Sequence, residues 1–167
     1  MKKILSFVML AIALGSCSED VKFNNEAVFQ GVKDNLFWRG QDANAVKSGN
    51  VLTISASTII EHMSLKVPVP AVGIDPKNSD THVKYPLGTS LTRTASYDFI
   101  NDLGDEFFYE TAIGVGDGEV VISEYDGVYV SGTFRFNAHN TDPESEAPEI
   151  VNVQHGTFYR IPVINEP

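Results

Sequence analysis

The chain has 167 residues, 43% of them apolar and 20% charged, enough for one domain whose core needs no staples. Its net charge of −10 excludes a nucleic-acid binder, because phosphate neutralisation needs clustered cations. Its single cysteine excludes an internal disulfide, a multi-thiolate zinc site and iron–sulfur ligation.

The first element is an export leader. Lys2 and Lys3 form a cationic start, and Ile4 to Leu14 form an apolar run of signal-peptide size, too short to span a bilayer. Leu14-Gly15-Ser16-Cys17 then resembles a bacterial lipobox. That resemblance implies that Cys17 receives a thioether-linked diacylglycerol, is cleaved from Ser16 and is N-acylated; the alternative is a plain secretory signal with an incidental cysteine. Two or more buried acyl chains hold a protein at a membrane for long periods, where one gives only reversible attachment. The chain therefore divides into a signal peptide over 1–16, a lipidated cysteine and tether over 17–25, and a single domain over 26–167. Loss of Lys2 and Lys3 with the leader deepens the acidity of what remains.

Ser18, Glu19 and Asp20 follow the cysteine directly. The run is similar to the export tag of Bacteroidota surface lipoproteins, which implies a lipid-anchored position on the outer face of the outer membrane. The alternatives are a solvated charged tether and a position on the periplasmic face.

Beyond the tether, strand-like runs alternate with turn residues, and no amphipathic helix of useful length is present. Strands are expected over Asp34 to Ala45, Val51 to Ser57, Ile59 to Val67 and Leu87 to Ser96 in the first half, with Gly49-Asn50 as a turn. In the second half, Phe107 to Ile113, Glu119 to Tyr125 and Val128 to Ala138 are expected to form a meander. Gly116-Asp117-Gly118 would make its first turn and Asp126-Gly127 its second. Val128, Val130, Phe134 and Phe136 share one parity, so they mark the buried face, where Gly132 leaves room for a bulky neighbour. An acidic loop over 141–147 leads to Ile150–His155, Gly156 interrupts, and Thr157 to Val163 closes the chain with Pro162 at a strand end or edge. About nine short strands without a βαβ rhythm predict an all-β fold, an antiparallel two-sheet β-sandwich or, alternatively, a β-barrel-like closure.

Chemistry-bearing residues are sparse. His62, His82, His139 and His155 are isolated in sequence, and no H-x-H, H-x-x-H or H-E-x-x-H pair is present. His62 and His155 lie on expected strands that could meet across a sheet. No G-x-S-x-G elbow occurs, so no catalytic residue is assigned and the protein is expected not to be an enzyme. Gly114-Val115-Gly116-Asp117-Gly118 passes into a strand instead of a helix, and therefore reads as turn residues, not as a phosphate loop.

Asp98, Asp102, Asp105 and Glu106, with Asn101, gather oxygen atoms around Gly104 and form the one candidate for calcium; a solvated acidic loop is the competing explanation. No other metal or cofactor is expected. Tyr125, Tyr129 and Tyr159 are candidates for an exposed platform that stacks on sugar rings, against the alternative of cross-strand pairing inside the sheet. Phe108 cannot face the core together with Phe107 or Tyr109, and Trp38 is expected to be a core anchor.

Four segments carry a wider resemblance: Asp34-Asn35-Leu36-Phe37-Trp38-Arg39, Leu52-Thr53-Ile54-Ser55-Ala56, Val130-Ser131-Gly132-Thr133-Phe134-Arg135-Phe136, and His155-Gly156-Thr157-Phe158-Tyr159-Arg160-Ile161-Pro162-Val163. Over most of its length the chain resembles the small lipoproteins of flavobacterial and Bacteroides-type bacteria that are grouped as domains of unknown function. The resemblance implies a β-sandwich and transfers no catalytic residue. The expectation is a surface lipoprotein whose non-enzymatic domain is structural or binds an unknown protein or a polymer. A glycan-binding accessory protein is the alternative, and a hydrolase with a spatially assembled site the third.

Overall fold

A computed structural model describes residues 26–166. The leader, Cys17, the Ser18-Glu19-Asp20 run and the tether lie outside the described residues. Eleven strands follow in order: β1 (Val28–Lys33), β2 (Leu36–Gly40), β3 (Asn44–Ser48), β4 (Val51–Ser57), β5 (Glu61–Pro68), β6 (Val83–Pro86), β7 (Thr94–Ile100), β8 (Glu106–Glu110), β9 (Asp117–Tyr125), β10 (Tyr129–Asn140) and β11 (Ile150–Glu166). The one helical element among the described residues is a short 3-10 turn at Ser79–Thr81.

All eleven strands join one mixed sheet in the order β2-β1-β11-β3-β4-β5-β7-β8-β10-β9-β6. β10 also pairs with β11, so the hydrogen bonding leads from β11 through β3, β4, β5, β7, β8 and β10 back to β11. The expectation of two sheets thus gives way to one continuous sheet whose pairing returns on itself. Every pairing is antiparallel except β11 with β3, where Val163–Glu166 lie alongside Ala45–Ser48. It follows that β1, β4, β7 and β10 run in one direction. The connections over 34–35, 58–60, 101–105 and 141–149 therefore follow strands of one direction and define the loop end, while the chain enters β1 beside Gly40-Gln41, where the Gln41 amide bonds Ser57 O.

The core forms where alternate side chains point inward. Leu52, Ile54 and Ala56 of β4 meet Met63, Leu65 and Val67 of β5, all essentially inaccessible. Phe29, Phe134 and Phe158 cluster in the other half, with Phe29 and Phe134 ring centres 4.8 Å apart. Burial of such side chains stabilises the fold by about 1.5–3 kcal/mol each before chain entropy is set against it. Trp38 is buried, as expected of an anchor, and Phe107 and Tyr109 face inward while Phe108 faces out.

Several expected boundaries are corrected. Asp34-Asn35 is a tight turn between β1 and β2, with φ of 48° and 66°, and does not open a strand over 34–45. Such hairpin turns demand left-handed backbone at both central positions, which Asp and Asn tolerate better than other non-glycine residues. β5 begins at Glu61 and not Ile59, because Thr58 Oγ1 accepts the Ile60 and Glu61 amides in a turn. The segment 87–96 is not one strand: Gly88 takes a φ of 71° and Arg93 N–H bonds Ser90 O, so the chain turns before β7. β1 and β6 have no counterpart among the expected strands.

The expected meander is half right. β9 and β10 form the hairpin, with Gly127-Val128 rather than Asp126-Gly127 as its central pair, while Asp126 Oδ1 accepts the Val128 and Tyr129 amides. β8 and β9 do not pair with each other. They lie end to end along the same edge of β10, Glu110 opposite His139 and Asp117 opposite Asn137. Gly116 holds a φ of 69° and a side chain there would collide with the Asn137 carbonyl, while the tight turn itself falls earlier, between Ala112 and Val115.

Gly156 likewise does not interrupt β11, which runs unbroken for 17 residues and absorbs its mismatch with β10 at His155 and Arg160, φ 52° and 48°. Pro162 is inside this strand. Val163 N–H points to Val128 O on the β10 side, so the nitrogen of Pro162 faces the other edge, in the interval between the β1 and β3 pairings.

Candidate functional site

At the loop end the inward faces of β1, β2, β5 and β7 bring together polar side chains that are far apart in sequence. Glu61 is the centre. Its Oε1 accepts Lys33 Nζ at 2.7 Å and Tyr97 Oη at 2.5 Å, and its Oε2 accepts Trp38 Nε1 at 2.8 Å. Lys33 Nζ also stands 2.7 Å from Tyr97 Oη. Burial pushes the Glu61 carboxyl up, but the hydrogen bonds from Lys33, Tyr97 and Trp38 and the Lys33 charge outweigh it and hold the group below its usual range. Tyr97 is driven the other way, far above an ordinary phenol, by burial and by the Glu61 carboxylate. With Thr58 Oγ1 at 3.5 Å from Oε2 as a fourth donor, the carboxylate is fully satisfied, and the cluster therefore holds β1, β2, β5 and β7 together and is not a reactive base.

Deeper in the same end, Tyr109 is buried and its hydroxyl has no hydrogen-bond partner, like Nδ2 of Asn140 directly across the β8–β10 pair. The two residues are close enough for Asn140 to bear on the Tyr109 ionisation, yet stop short of a hydrogen bond. Burial, aided by the charge of Asp34, raises the Tyr109 phenol.

A second constellation faces outward. Ser57, His62 and Asp98 occupy directly opposed positions on β4, β5 and β7. Ser57 Oγ lies 2.9 Å from His62 Nδ1, and the three residues share a shallow pocket of about 210 Å³ with Ile59, Ile60 and Ile100. Burial raises Asp98; the His62 ring opposes this and Glu106 adds to it. Among the described residues, His62 and Asp98 make no hydrogen bond or ion pair, so the bond that orients a catalytic histidine is not formed.

The third feature is a cleft of about 580 Å³ between the 101–105 and 141–149 connections. Leu103, Phe107 and Phe108 supply its apolar surface, and Asp105, Glu106, Asp142 and Glu146 its rim. Of the calcium candidates, Asp105 accepts the Asn101 side chain, Asp102 is exposed, and Asp98 sits back on β7 beside His62. No three His, Cys, Asp or Glu side chains among the described residues converge as metal ligands.

The tyrosine candidates do not form a common platform. Tyr125 is buried, Tyr129 is partly covered by Arg160, whose guanidinium lies 4.5 Å from the ring centre, and only Tyr159 is exposed. The reason is the hairpin register: Tyr125 pairs with Val130 on the inward face. His155 and His62 do not meet, since β11 and β5 are not neighbours, and His139 stands 3.9 Å from Glu149. Sequence reasoning missed Lys33, Glu61 and Tyr97, which are ordinary members of an alternating strand pattern until the sheet closes around them.

Comparison with known proteins places most of the chain in one family. No curated protein and no solved structure matches it. A family model described as a domain of unknown function, DUF6252, matches residues 25–162, which begins just before β1 and ends within β11. The chain belongs to the DUF6252 family.

Proposed function

We propose that the protein is a cell-envelope lipoprotein, anchored through Cys17 in the outer membrane and exposed at the cell surface, whose barrel-like β domain binds a partner without catalysis. The observation that carries this reading is the order of the parts: a cationic start, an apolar run, and a lipobox-like Leu14-Gly15-Ser16-Cys17, all ahead of the residue at which the family domain begins. The excess of acid keeps such a tethered domain soluble.

Growth with radiolabelled palmitate tests the anchor. Wild-type protein is expected to carry label into the membrane fraction, and Cys17→Ser to carry none. Protease treatment of intact cells tests the surface position, with digestion expected for the wild type and protection for the Glu19→Ala/Asp20→Ala variant. A wild type that is shielded until lysis disproves surface display.

One observation supports a second reading, hydrolysis: the 2.9 Å contact between Ser57 and His62 beside Asp98. A fluorophosphonate probe separates the two. Labelling that disappears in Ser57→Ala establishes a nucleophile, and absence of labelling supports a binding domain.

A further inference from the structure

We infer that the cleft between the 101–105 and 141–149 connections is the docking site for a cationic peptide segment, an apolar side chain flanked by Lys or Arg, belonging to a partner protein. The inference deepens the binding role proposed above and names its site and chemistry, but it does not depend on the lipid anchor.

Three properties of the cleft select this occupant. The first is apolar surface offered to solvent: Leu103 is 87% exposed and Phe108 is 50% exposed, with Phe107 half-buried between β7 and the cleft. Single exposed aliphatics are common on any protein, but a leucine and two aromatics lining one concavity form an anchor site for an apolar side chain.

The second is charge of one sign. Glu106, Asp142 and Glu146 are exposed at the rim. The sequence holds no Lys or Arg between Arg93 and Arg135, and none between Arg135 and Arg160. Both walls of the cleft come from these two cation-free stretches, so no side chain of either wall neutralises the rim from within. A partner that buries Leu103 and Phe108 must bring the opposite charge or leave these carboxylates desolvated and unpaired.

The third is a wall that its own hydrogen bonds hold in place. Asn140 lines the cleft; its Oδ1 accepts the Asp142 amide at 2.9 Å, Asp142 Oδ1 accepts the Glu144 amide at 2.9 Å, and Thr141 N–H bonds Phe108 O at 2.9 Å. A preformed wall of this kind loses little order when a peptide segment is seated on it. A cation would need converging oxygens at this position, and these are not assembled.

Fluorescence anisotropy on the full chain in detergent micelles tests the inference, with a short labelled peptide of alternating Lys and Phe as probe and its Glu–Phe and Lys–Ser counterparts as comparators. Micelle contributions are common to all protein variants. The Lys–Phe peptide is expected to bind saturably and to weaken with added salt, as rim charges within a screening length of about 8 Å require. Leu103→Ser and the double variant Glu106→Gln/Glu146→Gln, all surface changes, are each expected to weaken it about tenfold, or about 1.4 kcal/mol. Leu91→Ser, at an exposed position away from the cleft, is expected to leave it unchanged. Equal binding of the Glu–Phe peptide, or no loss in either cleft variant, overturns the inference. So does displacement of the Lys–Phe peptide by millimolar calcium or by a neutral oligosaccharide, which would assign the cleft to those ligands. Failure of palmitate labelling leaves this experiment untouched, so the two readings fail separately.

Discussion

Gly132 on β10 lies directly opposite Phe158 on β11, and the Phe158 ring occupies the space in which a side chain at position 132 would stand. The relation is repeated in reverse two residues along, where Phe134 on β10 covers Gly156 on β11. A β-carbon on Gly132 would come within 2.5 Å of the Phe158 ring and would also press on the backbone carbonyl of Val121. Gly132→Ala is therefore expected to destabilise the domain by about 1–3 kcal/mol, the range of overpacked cores, read from urea unfolding midpoints. A variant as stable as the wild type would show that the two strands can part without cost.

Glu61 makes the acid side of stability predictable. Its folded pKa lies below the ordinary 4.5, so its contribution is complete above that value and is lost as pH falls through the folded one. Glu61→Gln is expected to cost about 2 kcal/mol at neutral pH, because Lys33 and Trp38 lose a charged acceptor. The same substitution is expected to flatten the fall in melting temperature below about pH 4.5. If the acid limb keeps its slope in the variant, other carboxylates carry it.

Two tyrosines of similar burial are expected to respond oppositely to loss of the hydroxyl. Tyr97→Phe removes a donor to Glu61 and should destabilise by about 1–3 kcal/mol. Tyr109→Phe removes a buried hydroxyl that has no partner and should be neutral or stabilising by about 1 kcal/mol. Differential scanning calorimetry of the pair decides; a large loss in Tyr109→Phe would mean that an ordered water answers the hydroxyl.

The β1–β2 turn offers a test of backbone strain. Asn35 is exposed and holds a φ of 66°, so glycine is expected to be tolerated at least as well as asparagine, while valine should cost about 1–2 kcal/mol. Equal midpoints for Asn35→Gly and Asn35→Val in thermal unfolding would remove left-handed backbone as the reason for asparagine here.

The parts of this fold legible in the sequence are those set by neighbours in the chain. Val51–Ser57 stands as expected because its alternation is regular and a Gly-Asn turn precedes it. The inward parity of Val130, Phe134 and Phe136, and the vacancy at Gly132, follow from a period of two. What escaped depends on partners far along the chain. Gly116 and Gly156 look like breaks, but each admits a group from another strand, the Asn137 carbonyl and the Phe134 ring. Likewise Lys33 and Tyr97 reach Glu61 across 28 and 36 residues, a meeting that no local pattern records.

The parallel pairing of Val163–Glu166 with β3 makes closure of the ring depend on the far end of one long strand. The ring has its seam where β11, paired with β1 and β10 over its earlier part, reaches β3; without Val163–Glu166, β3 would lack a partner on that side. Closure therefore waits on a pairing between segments far apart in the chain, the kind of contact whose loop-closure cost slows folding most.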